Sequence, residues 1–361
     1  MKPAPTTATA AIADGNGGFS IDEVEIDAPA PGEVQVAVRA SGLCHTDVNM
    51  LAGEGPLIMG HEGAGVVIAV GAGVTSAHPG DRVMLNWARS CGDCRACRTG
   101  LTNRCEAQVP VHNGGHRYRG ASIDASFGLG TMSTVALVHE RAVTPITVDI
   151  PWTSACLFGC CVMTGFGSAT TVAGVEPGSS VVVIGVGAVG LCVIQGARIA
   201  GARLILAVDL NPAKLEASKA FGATHTLLVN ASDRDLGRAA ERAAALTDGG
   251  ADIAFEATSV PELCTAPLLF VRDGGTAVQL SGVEQEVTID AGAFLWDKTY
   301  ITSLYGRCDP RRDFARLQRL YADGSLDVDG LVSATYPLED LERAIGDLMS
   351  GRNIKSVLLP A

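Results

Sequence analysis

Apolar positions along the chain follow two different rhythms. Between Ile21 and Val38 short strand-like pieces alternate with proline and glycine turns. Up to about residue 150, Gly60, Gly63, Gly65, Gly71, Gly73 and Gly80 keep interrupting valine-rich runs such as 65–70. This predicts an antiparallel β region, a partly open barrel whose turns carry function. After Pro151 the units lengthen: strands at 181–184, 204–208, 226–229, 253–256 and 275–280 alternate with helices at 191–200 and 214–221. Strand and helix in alternation predict a doubly wound parallel sheet. Near Ile301 to Leu304 the chain is expected to leave that sheet, before helices at 313–322 and 338–350 and a last strand at 354–359. The first ten residues read as a loose end, and no internal repeat interrupts the pattern.

Length and composition narrow the class. At 361 residues the chain can fold two domains with a large core each. Its 27 basic and 39 acidic residues give a net charge of −12, and the Lys and Arg are scattered. That argues against a nucleic-acid surface, which needs clustered cations to meet phosphates. Apolar runs fall short of the roughly 18 to 20 residues that span a bilayer, and MKPAPTTATA lacks the apolar core of a signal peptide. The expectation is a cytoplasmic protein without a membrane partner. In such a chain eleven cysteines point to metal rather than to disulfides.

The first candidate site follows the run 181–184. Gly185, Gly187 and Gly190 stand in G-x-G-x-x-G register at the start of a helical segment. The first glycine permits a tight turn, the second lets a pyrophosphate approach the backbone, and the third lets helix and strand pack closely. Phosphates then sit at a helix N-terminus, where free N–H groups and the dipole favour an anion. Asp209 ends the next apolar run, where a carboxylate accepts hydrogen bonds from ribose hydroxyls and repels a 2′-phosphate. The pattern predicts NAD rather than NADP.

Two further groups concern metal. Cys91, Cys94, Cys97 and Cys105 have the spacing C-x2-C-x2-C-x7-C, and four thiolates on one short loop close a tetrahedron around a structural Zn²⁺. An iron–sulfur cluster is the competing reading, and free core thiols a third, set against the polar Gly92, Asp93, Arg95 and Arg98 between them. Cys44, His61 and Cys160, taken singly, read as packing residues beside glycines. Together they offer two thiolates and an imidazole with a fourth position open, the arrangement of a catalytic zinc. A cation there lowers the pKa of an alcohol and prepares its carbon to give up hydride.

The motifs GLCHTD, GHEGAG, PGDRV, CGDCRACRTGLTNRC, GCCVMTGFGS, GVGAVG with Asp209, and NIKSV stand in the order of the zinc-dependent medium-chain dehydrogenase/reductase family, the alcohol dehydrogenases. The resemblance covers nearly the whole chain, from about Ile21 to Leu359. It implies a GroES-like barrel domain over residues 1–161 and 305–361 and a Rossmann domain over residues 162–304. It also implies two Zn²⁺ per chain, NAD, and hydride exchange with a small alcohol, aldehyde or ketone. By resemblance, Cys44, His61 and Cys160 hold the catalytic zinc, with Asp47 and Glu62 as carboxylates beside it, and Thr46 passes the substrate proton outward. Thr164 and Val189 pack the nicotinamide, His45 and Lys355 meet the pyrophosphate, and Asp209 with Lys214 holds the adenosine ribose. Asp47 also reads as a helix cap, and Lys214 and Lys355 as ordinary solvated charges.

This chain departs from the family in places. Asn49 stands where many relatives carry a histidine that ends the proton relay, so water or another base must finish it. Cys161 follows Cys160 where glycine is usual, and Trp87 narrows the channel or packs the core. GCCVMTG and YGRCDPRRDF resemble a branch with mycothiol-dependent formaldehyde dehydrogenases, for which Arg104, Arg117 or Arg119 is a candidate to greet an anionic group. The family pairs edge strands of its nucleotide domains, here 287–289 or 300–304, into a homodimer, with a homotetramer as the alternative. The rival readings are a reductase of an activated C=C or imine and a catalytically silent protein that binds zinc and nucleotide.

Overall fold

The computed structural model describes residues 5–53, 55–107, 111–112 and 114–360. It divides into two compact units, one made of Met1–Cys160 with Asp309–Ala361 and one of Cys161–Cys308.

In the first unit the strand Glu33–Gly42 has the central place. It runs antiparallel to Glu62–Val70, to Val135–His139 and, at its C-terminal end, to Lys355–Leu359. Register shifts between Gln35 and Val36 and between Val38 and Ala40 bend it, so one strand serves several partners. Val34, Val36 and Val38 pack with Val67, Val83, Leu85, Leu129 and Val138. A neighbouring cluster joins Ala8, Ala10 and Ile12 of Thr6–Ala13 to Val24 and Ile26 of its partner Phe19–Ile26. Burying each such Val or Ile is worth about 1.5–3 kcal/mol, enough to pin the register of the barrel. The strand Val332–Pro337, the helix Leu341–Met349 and the strand Lys355–Leu359 form a parallel crossover. Leu341, Ala344 and Leu348 bury that helix against Tyr336 and Leu358.

The second unit is a six-stranded sheet. Its strands are β1 (Ser180–Ile184), β2 (Leu204–Asp209), β3 (His225–Leu228), β4 (Ala251–Glu256), β5 (Val271–Gln279) and β6 (Thr299–Thr302). All pairings are parallel, in the order β3-β2-β1-β4-β5-β6. This is the order of two mononucleotide-binding halves joined at β1 and β4. Every residue of β1 is buried, as a continuous apolar run in a parallel sheet requires. The helix α1 (Ala188–Ile199) follows β1, and α2 (Pro212–Phe221) follows β2, with Asn211 accepting from the Ala213 and Lys214 amides and Gly222 closing its end at φ +118°.

Details of this unit refine the expected pattern. The strand Thr299–Thr302 pairs in register with Thr276–Gln279 as the edge strand β6, and the chain leaves the sheet just after it. Its four residues are half-buried in the middle and exposed at the ends, as befits an edge strand. Residues 287–289 have no regular structure, which leaves β6 as the only edge among the two proposed for pairing. The helix Gly237–Leu246 was not anticipated, because the face it buries is made of Ala239, Ala240 and Ala243. No single helix among the described residues is long and apolar enough to cross a membrane.

Candidate metal centre and nucleotide crevice

Strand register brings the proposed metal ligands together. Gly42 pairs with Glu62 and Val357 pairs with Gly42, so the ends bearing Cys44, His61–Glu62 and Lys355 converge on one side of the barrel. A Cβ on Gly42 would lie 2.1 Å from Glu62 Oε2, so only glycine lets the carboxylate occupy this place. Cys160 follows the turn Cys156–Gly159, where a Cβ on Gly159 would lie 2.2 Å from the Leu85 carbonyl. The result is one cluster: the ligand atoms of Cys44, His61, Glu62 and Cys160 all lie within 4.8 Å of one another.

The surroundings prepare these groups for a cation. His61 shares a 2.9 Å hydrogen bond through Nδ1 with Asp47 Oδ1, which leaves Nε2 as its free ligand atom. The other oxygen of Asp47 accepts from the Cys44 amide at 2.9 Å and caps the helix His45–Asn49, so Asp47 fills both roles weighed for it. A hydrogen bond with Cys160 holds the Cys44 thiol well below its ordinary pKa, and burial is opposed there by His61 and Lys355. Burial opposes charge on His61, but Asp47 and Cys44 together hold the imidazole well above its ordinary pKa. Two cysteine sulfurs and one oriented imidazole suit Zn²⁺ with a fourth position left open, and the buried Glu62 carboxylate lies beside them.

Lys355, expected at the cofactor pyrophosphate, is only 3% exposed, and its ammonium donates to Glu62 Oε1 at 2.7 Å. The geometry therefore contradicts a solvated lysine and ties Lys355 to the candidate metal-ligand cluster. Glu62 Oε2 has no hydrogen-bond partner among the described residues, and burial raises the Glu62 carboxyl. Thr46 is half-buried with its hydroxyl 3.6 Å from Cys44 Sγ, while His45 and Asn49 are exposed.

Phe127 is a residue that the sequence did not single out. Its ring lies 5.0 Å from the His61 ring and 5.4 Å from Trp87, so the two aromatics form one wall beside the cluster. The backbone reaches this place through left-handed conformations at Phe127 (φ +51°), Gly128 and Gly130. Left-handed φ is uncommon for a bulky residue, and strain of this kind gathers at functional sites. Its only trace in the sequence is the glycine spacing of SFGLG.

The second cysteine group also closes. Cys91 and Cys97 sulfurs lie 3.9 Å apart and those of Cys94 and Cys105 4.0 Å apart. Four sulfurs at about 2.3 Å from one ion would stand about 3.8 Å from each other. Amides of Cys91, Asp93, Cys94, Cys97 and Glu106 donate to these sulfurs, as suits thiolates. The Cys97 amide, followed by that of Glu106, pulls Cys94 down to about 6, whereas burial pushes Cys97 up to about 12.

In the second unit the glycine turn has the backbone geometry of a tight strand-to-helix turn. Gly185 has φ +87°, and a Cβ on Gly190 would lie 2.0 Å from the Gly185 carbonyl. Gly187 has an ordinary φ of −71°, caps α1, and a Cβ there would meet nothing within 4 Å. Neither strain nor packing asks for glycine at 187, and the space is the cradle that a phosphate group would fill. Asp209 accepts from the amides of Val186 at 2.9 Å and Asn211 at 2.8 Å, which leaves lone pairs for a ribose. Val189 is half-buried on the first turn of α1, Lys214 is half-buried on the first turn of α2, and Thr164 is half-buried on the helix Cys161–Gly167. Cys161 is buried.

The basic residues proposed for an anionic substrate differ in how they are engaged. Arg117 pairs with Glu25 and Asp27, and Arg119 pairs with Asp22 and covers the Tyr118 ring. Arg104 is exposed.

Comparison with known proteins agrees with this architecture. The alcohol dehydrogenase GroES-like domain family matches residues 30–148, and the zinc-binding dehydrogenase family matches residues 188–323. The chain is 36% identical to an NDMA-dependent alcohol dehydrogenase of Amycolatopsis methanolica, covering 94% of this chain and 95% of that one. It is 34% identical to an alcohol dehydrogenase class-3 of Myxine glutinosa, covering 94% of each. The crystal structure of benzyl alcohol dehydrogenase from Acinetobacter calcoaceticus superposes with a TM-score of 0.88 at 29% identity, over 99% of this chain and 100% of that one. With two cysteine-rich ligand clusters in one unit and a parallel nucleotide sheet in the other, the chain belongs to the zinc-dependent medium-chain dehydrogenase/reductase family and is an oxidoreductase.

Proposed function

We propose that this chain is an NAD-dependent alcohol dehydrogenase that interconverts unbranched or aromatic primary alcohols and their aldehydes. The observation that carries this reading is the cluster of Cys44, His61 and Cys160 with Asp47 orienting His61. A Zn²⁺ in that cluster supplies a Lewis acid and NAD supplies the hydride acceptor. The residues do the rest. Thr46 takes the hydroxyl proton of the alcohol, and since Asn49 cannot accept it, the proton passes on to water or another base. Lys355 neutralises Glu62, so the buried carboxylate adds no net charge beside two thiolates. Trp87 and Phe127 favour a flat or slender substrate over a branched one. The likeness to benzyl alcohol dehydrogenase supports this substrate class. Cys91, Cys94, Cys97 and Cys105 hold a second, structural Zn²⁺.

Gly187 cradles the pyrophosphate and Asp209 selects NAD over NADP. Of the three arginines that could greet the anionic group of a thiol-adduct substrate, Arg117 and Arg119 are engaged by acids, which leaves Arg104 for that role. A homodimer forms through the edge strand β6, beside which Leu295, Trp296 (71% exposed) and Leu304 leave apolar surface uncovered. The deciding experiment combines zinc content per chain with NADH absorbance against a panel of alcohols and aldehydes. Two zincs and turnover of primary alcohols are expected; fewer zincs, or nucleotide binding without turnover, would overturn the reading.

A further inference from the structure

Glu256, the last residue of β4, is fully buried in the middle of the parallel sheet, where it pairs with Ile184 immediately before the glycine turn. Its Oε1 accepts three hydrogen bonds: from the Thr258 amide at 2.5 Å, the Thr258 hydroxyl at 2.6 Å and the Ser281 hydroxyl at 3.1 Å. Ser281 Oγ in turn accepts from the Ser259 amide at 2.9 Å, and Thr258 Oγ1 from the Val260 amide at 3.1 Å. One oxygen thus ties the loop after β4 to the loop after β5. Glu256 Oε2 is buried and meets no donor among the described residues. A buried carboxylate with one unmet oxygen is unfavourable for folding, so packing alone does not account for an acid here.

Its position suggests what the acid does. Ligands of doubly wound sheets bind outside the carboxyl ends of the strands, across the point where strand order reverses. That point lies here between β1 and β4. Asp209, on β2, belongs to the half that takes adenosine, which leaves the loops after β4 and β5 to the other nucleotide. The loop after β4 also touches the phosphate turn, since a Cβ on Gly185 would meet the Ala257 carbonyl at 2.8 Å and Thr258 Cγ2 at 2.9 Å. Ser259 sits at the left-handed φ of +61°, and its amide donates to Ser281 Oγ at 2.9 Å.

We infer that Glu256 is a positioning residue for the nicotinamide half of the dinucleotide: through Thr258 and Ser281 it fixes the two loops against which that half binds. This role rests on the dinucleotide reading above. Equilibrium binding of NADH and of ADP-ribose, which lacks nicotinamide, separates the two halves without any turnover. Glu256→Leu is expected to weaken NADH at least tenfold and ADP-ribose less than threefold. Glu256→Gln, whose carbonyl oxygen accepts from the same donors, restores NADH binding to within threefold. Ser281→Ala, on a half-buried loop, gives the same selective loss at about threefold and serves if the leucine variant does not fold. Equal losses for both ligands, or no loss for either, overturn the role. A wild-type chain that binds neither ligand overturns the dinucleotide reading itself, and this role with it.

Discussion

Asp47 Oδ1 lies 2.9 Å from His61 Nδ1, both side chains are buried, and the same carboxylate caps the helix that begins after Cys44. One acid therefore sets the orientation of two ligands, the imidazole directly and the thiolate through the backbone. Asp47→Asn keeps the shape and removes the charge that supports His61. We expect zinc at this centre to be released to chelator 10- to 100-fold more readily, as is typical when such a partner is lost. Zinc content after graded dialysis checks this, and retention equal to the wild type would sink it.

The two cysteine clusters separate in their consequences. Cys160→Ala should abolish turnover while circular dichroism and melting stay near wild type. Cys94→Ala should lower the melting temperature by several degrees, because a closed thiolate tetrahedron contributes directly to folding. An active Cys160→Ala protein would refute the site assignment.

Gly187 offers a substitution with opposite effects on fold and ligand. Its Cβ would meet no atom of the chain, and its φ is −71°. Gly187→Ala should leave thermal stability unchanged or slightly raised, since alanine loses less backbone entropy. It should weaken NADH binding at least tenfold by intruding on the phosphates, as measured by fluorescence titration.

The aromatic wall predicts selectivity. Phe127→Ala removes the ring that faces His61 and Trp87. Relative to wild type, kcat/KM for benzyl alcohol should fall about tenfold, a loss of about 1.4 kcal/mol, while a short aliphatic alcohol stays within about threefold. Equal changes for both substrates would remove Phe127 from the substrate wall.

Acid stability should report His116. Burial pushes its imidazole down to about 4 from 6.5. The folded state thus prefers the neutral ring. Stability is full above pH 6.5 and is lost as pH falls from there to about 4, because the unfolded chain takes up the proton first. The effect is on the order of 3 kcal/mol. In His116→Gln, urea unfolding across this window should show a correspondingly smaller decline than in wild type.

Some of this was legible from sequence and some was not, for physical reasons. The spacing of Cys91 to Cys105 and the glycines at 185, 187 and 190 are local constraints, so neighbouring letters carry them. The pairing of Lys355 with Glu62 joins residues 293 positions apart and depends on strand register, which no local pattern encodes. Phe127 escaped because its place comes from a left-handed backbone rather than from apolar periodicity. Glu256 sat at the end of a correctly read strand, but an acid after an apolar run looks like a solvated strand end until its burial is known.

The Lys355–Glu62 pair also orders events in time. The unit that holds both metal clusters is interrupted by Cys161–Cys308. During synthesis the nucleotide sheet emerges as one uninterrupted piece and can fold first. The strand Lys355–Leu359, which closes the barrel against Gly42 and delivers the lysine to Glu62, reaches its partners only after all of that sheet has been made. Until then Glu62 lacks its counter-charge beside the thiols, so the candidate metal centre is completed among the last parts of the molecule to assemble.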